Sequence, residues 1–127
     1  MGKRYDLESE IMRQLSDYTA EMAEEIEKTA VRLGKEAART LKDTSPRSDK
    51  KHAHYADGWT VRRSKIGGVL TVTVYNRIKP HLTHLIEFGH LKANGVRVRG
   101  KEHIYPVQEK LNRDFEAACE EIVRNGG

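Results

Sequence analysis

Ten apolar residues recur at steps of four and three through the first third of the chain: Leu7, Ile11, Leu15, Tyr18, Met22, Ile26, Ala30, Leu33, Ala37 and Leu41. A stripe of that period predicts one long amphipathic helix over residues 1–45, ended by Thr44-Ser45-Pro46. At about 1.5 Å per residue it would run roughly 50 Å, more than one small domain covers by itself. Part of the stripe is therefore expected to lie against another chain. Gly34 interrupts the pattern at a cost of up to about 1 kcal/mol relative to Ala, which predicts a bend or a close packing contact there.

Residues 46–57 are polar and charged with little periodicity and read as a flexible loop. Two β-rich runs follow, residues 58–63 and 69–75, separated by Ser64-Lys65-Ile66-Gly67-Gly68, the composition of a β-hairpin. Within the second run Leu70, Val72 and Val74 alternate with Val69, Thr71, Thr73 and Tyr75, so the more apolar set is expected to face the helices. Pro80 suits the first turn of a short helix that Gly89 closes as a left-handed cap. A glycine-containing loop from His90 to Lys101 carries a strand-like piece, Val96 to Arg99. After Pro106 the apolar steps resume at Val107, Leu111, Phe115, Ala118 and Ile122, giving a C-terminal helix over 106–124. The expected fold is a single α+β domain over 1–127: long N-terminal helix, hairpin with a small antiparallel sheet and short central helix across 58–105, then the C-terminal helix.

The charge is unevenly placed. Residues 1–46 hold eight Lys/Arg against ten Asp/Glu and residues 106–127 hold three against five, so a net charge of +4 conceals a basic centre between acidic flanks. Arg62, Arg63 and Lys65 near the hairpin, with Arg97, Arg99 and Lys101 in the later loop, are the candidates for facing DNA without sequence preference. An acidic partner protein, or plain solvation, explains the same charges equally well. The run of about 18 apolar residues needed to span a bilayer is missing, and the N-terminus reads straight into acidic residues, so a cytoplasmic chain is expected. Cys119 is the sole cysteine and sits on an apolar face, as a core thiol would.

Several residues carry a resemblance. The strand ending in Tyr75-Asn76, the segment Pro80-His81-Leu82-Thr83-His84-Leu85-Ile86-Glu87-Phe88-Gly89-His90, the basic glycine-bearing loop, and Lys101-Glu102-His103-Ile104-Tyr105-Pro106 before a final helix resemble the head-tail joining, or tail-completion, minor structural proteins of long-tailed phages and prophages. The likeness covers residues 58–124; the N-terminal helix agrees in type only. It implies a small α+β subunit of the neck, assembled as a homo-oligomeric ring around the DNA passage. The implied partners are copies of itself, other neck and tail proteins, and DNA crossing the lumen. The implied location is the virion, with host cytoplasm during assembly. A tail terminator ring is the neighbouring role, and a free-standing non-specific DNA-binding protein is the rival of another class.

The motif residues also have a physical reading. Leu82, Leu85, Ile86 and Phe88 are expected to pin the short helix to the sheet while Gly89 reverses the chain. Glu87 is open to three readings: a cap, a partner for Arg77 or Lys101, or a surface carboxylate. His81 and His84 share a helix face, yet with His90 and His103 they form no metal-ligand pattern, so neither metal nor cofactor is expected. Ser45, Ser48 and Ser64 lie in polar loops without a recognisable base, and Gly67-Gly68 lacks a phosphate-binding pattern, so an enzyme is not expected. Only Trp59 and Tyr105 lie near the cations as stacking aromatics for single strands, and no tandem short helices suggest a groove reader.

Overall fold

The computed structural model describes residues 8–46, 55–80 and 83–126, with the side chains of His84, Leu85 and His90 outside that description. Strand β1 (Ser9–Gln14) precedes helix α1 (Ala20–Thr44). A single 3₁₀ turn (Tyr55–Gly58) leads into β2 (Trp59–Ile66) and β3 (Val69–Asn76). Helix α2 (Thr83–Phe88), the short strands β4 (Gly89–Leu91) and β5 (Arg97–Arg99), and helix α3 (Ile104–Gly126) complete an α+β fold. The expected loop at 46–57 lies mostly outside the described residues, and its last part is the 3₁₀ turn.

The helix expected from residue 1 begins at Ala20, and the segment before it is a strand. Leu7, Ile11 and Leu15 are spaced by four, which is one helical turn and also two strand repeats, so their period does not separate the two states. Pairing decides: β1 lies antiparallel to β3 with Ile11 opposite Val72, which satisfies backbone groups that a free helix end would leave open. The Thr19 hydroxyl then caps α1 by accepting the Met22 N–H at 3.2 Å, and Glu21 in the first turn complements the helix dipole.

Gly67 and Gly68 both take positive φ, 59° and 80°, as a two-residue hairpin turn between Ile66 and Val69 requires. The sheet order is β1-β3-β2. Leu70, Val72 and Val74 of the central strand are buried beneath α1, while α3 packs on α1 and on β1. At Gly34 α1 lies close against the sheet: a Cβ there would stand 2.8 Å from Val72 Cγ1. Close packing, one of the two expectations for this glycine, is what occurs. The opposite face carries Thr71, Thr73 and Tyr75 with exposed Met12 and Ile66. The edge of β1 is blunted by Gln108 of α3, whose amide accepts the Glu10 N–H at 2.7 Å and donates to the Glu10 carbonyl at 3.0 Å.

Candidate functional site

The motif segment closes on a buried polar joint. Thr83 and Glu87, one turn apart, are the buried residues among the described side chains of α2. The Glu87 carboxylate accepts the backbone N–H groups of His103 at 2.7 Å, Ile104 at 2.9 Å and Tyr105 at 3.0 Å. These are donors that the start of α3 cannot satisfy internally, and the negative charge sits at the positive end of the helix dipole. One residue therefore caps a helix belonging to another part of the chain, the first of the three readings of Glu87.

His103 extends the joint. Its Nδ1 faces two acceptors, Glu87 Oε1 at 2.8 Å and the Lys101 carbonyl at 2.9 Å, so the network assigns the ring proton there. Nε2 is then the acceptor for the Tyr55 hydroxyl at 2.8 Å. Burial, reinforced by the charge of Glu87, raises the Tyr55 pKa far above the ordinary tyrosine range, which keeps the hydroxyl protonated and donating. The Tyr55 carbonyl accepts from Asn76 Nδ2 at 2.7 Å, and Asn76 Oδ1 accepts the N–H groups of Ile78 and Lys79 as the chain leaves β3. Trp59 donates its indole N–H to Ser45 Oγ at 2.8 Å and meets the rings of Tyr55 and His103 edge-on. The joint thus locks the end of α1, the 3₁₀ turn, the end of β3, α2 and the start of α3. Tyr55 went unnoticed in the sequence, where the one signal was a lone aromatic in an otherwise polar stretch, and Ser45 was read only as part of the helix stop and as a polar-loop serine.

The six candidate cations fall into separate settings. Strand alternation puts Arg62 on the helix-free face, its guanidinium 4.8 Å from the centre of the Tyr75 ring. Arg63 and Lys65 point the other way and share Glu27 of α1 at 2.6 and 3.6 Å. Arg97 donates to the Phe88 carbonyl at 3.1 Å, and Arg99 and Lys101 are exposed beside it. Trp59 is buried in the core, so it is withdrawn from any stacking on bases.

The family model described as "Bacteriophage HK97-gp10, putative tail-component" matches residues 9–89, well over half of the chain. The chain belongs to this family. No curated protein and no solved structure gives a match. As an HK97-gp10-like phage tail component, it has the virion as its setting and other tail proteins as its company. The match begins at β1, where the sequence offered no motif, and stops at Gly89, before the loop and helix on which half of the resemblance was read. Within it lie Tyr75, half-buried beneath Arg62; Asn76, buried; Pro80, before α2; Ile86, packed on the core; and Glu87. His103 and Pro106 lie beyond it, and Pro106 occupies the first turn of α3, where a missing N–H costs nothing.

Phe88 overturns one expectation. It was assigned to the core and is 54% exposed. The cause is angular: Glu87 holds the inward face of α2, and the next residue points about 100° away. Gly89, at φ 82°, then reverses the chain so tightly that a Cβ would stand 2.3 Å from the Val98 carbonyl oxygen. Among the described residues there is no group of three or more His, Cys, Asp or Glu placed to hold a metal ion.

Proposed function

We propose that this tail component is a non-enzymatic structural subunit acting in head-tail joining or tail completion, as one member of a neck ring around the DNA passage. The observation that carries the reading is the use made of the motif's polar groups. Glu87, His103, Tyr55 and Asn76 direct their hydrogen bonds at one another and at backbone, which suits a rigid mount for α2 and the chain beyond it. In the same reading the subunit works without a cofactor, is assembled in the host cytoplasm and contacts DNA only in passing. Arg63 and Lys65 are partly neutralised by Glu27, which favours that role over free-standing DNA binding.

The test is the state of particles made without the protein. Filled heads beside finished, unjoined tails are expected. Overlong tails would move the assignment to a tail terminator, and normal infectious particles would refute an assembly role.

A further inference from the structure

Two surfaces at opposite ends of α3 match each other. At its C-terminal end, where Met22 packs over Gly126, α1 and α3 leave a groove of about 440 Å³. Met22, Ala118 and Ile122 give it an apolar lining, and Glu21, Glu25 and Glu121 make it acidic. Arg32 also lines it but is held by Glu36 at 3.0 Å, whereas the three carboxylates have no ion-pair partner among the described residues.

At the N-terminal end of α3, the β4-β5 ribbon stands on α2. A two-stranded ribbon is marginally stable on its own. This one holds large apolar side chains in water: Leu91 is 67% exposed and Val96 55%, beside Phe88 at its root. Cross-strand pairing of Gly89 with Arg99 and Leu91 with Arg97 puts Leu91, Arg97 and Arg99 on one face. Lys92, Arg99 and Lys101 have no ion-pair partner among the described residues. An apolar, cationic ribbon and an apolar, anionic groove are therefore present on the same molecule. Ile104 and Ile122 alone are separated by roughly 27 Å of helix, and the ribbon does not line the groove of its own chain.

We propose that the β4-β5 ribbon of one copy seats in the α1-α3 groove of the next, with Arg97, Arg99 and Lys101 facing Glu21, Glu25 and Glu121. This rests on the assembly reading above and names the surfaces through which copies join. Because the two patches differ and lie at opposite ends, the contact is head-to-tail, the type that generates a ring when the rotation closes.

The test uses two full-length variants, one with Arg97→Glu and Arg99→Glu, the other with Glu25→Lys and Glu121→Lys. All four positions are exposed, and circular dichroism checks the fold of each. Sedimentation of the wild type should show assembly that weakens with salt. Each variant alone sets like charges together and should associate about 100-fold more weakly. Mixed in equal amounts, the acidic ribbon of one fits the basic groove of the other, and assembly should return, a result that misfolding cannot produce. Variants that assemble like the wild type, or a mixture that stays dissociated, would overturn the proposed contact while leaving assembly through another surface intact. A wild type that remains monomeric at every concentration would overturn this contact and count against the ring as well.

Discussion

Glu87 and His103 meet twice, once through the backbone N–H of His103 at 2.7 Å and once through its ring Nδ1 at 2.8 Å from the same carboxylate oxygen. A carboxylate on a six-residue helix thereby fixes both the start of α3 and the orientation of the imidazole that reaches Tyr55. Removing it should cost more than an ordinary cap. Glu87→Ala leaves buried N–H groups without an acceptor and should lower stability by about 2–4 kcal/mol, whereas Glu87→Gln keeps one acceptor oxygen and should lose about half of that. Urea unfolding of the two variants measures the difference.

Tyr55 should make the protein sensitive to alkali. Its folded pKa lies above the unfolded value, so its contribution is fully present below about pH 10 and declines as the pH rises toward the folded value. Tyr55→Phe leaves Nε2 of His103 without its donor and should cost about 1–3 kcal/mol at neutral pH. The gap between wild type and variant should narrow in urea titrations taken above pH 10.

Phe88 and Trp59 should behave oppositely. Phe88→Ala should change stability by less than about 1 kcal/mol, since its ring is mostly in water. Trp59→Ala, which empties a core site and strands Ser45, should cost about 3–5 kcal/mol. Equal losses in thermal melts would contradict the placement of both rings.

Cys119 is buried against Phe115 and Arg13, and burial pushes its thiol pKa up. Its modification by thiol reagents should be slow in buffer and should accelerate in step with unfolding as urea is added.

The hairpin, the short helix closed by Gly89, the strand before Lys101 and the C-terminal helix were legible because their signals are local. Gly67-Gly68 dictates its own turn, and Val107, Leu111 and Phe115 keep a helical period. Strand β1 was hidden because spacings of four serve helix and strand alike, and only pairing with β3 selects between them. Glu87 as a cap was one of three readings, since nothing within α2 indicates that the start of α3 lies beside it. The roles of Tyr55 and Ser45 escaped notice for the same reason: their partners, His103 and Trp59, are 48 and 14 residues away. Phe88 was misplaced because hydrophobicity suggested the core, while the geometry of α2 gives that face to Thr83 and Glu87.

The account is most directly tested by adding the purified protein to an extract containing separate filled heads and finished tails. A structural subunit should restore joining in proportion to the amount added, saturate at a fixed number of copies per particle, and stay in the joined particles. Complete joining by far fewer copies than particles, with the protein left free in solution, would contradict it.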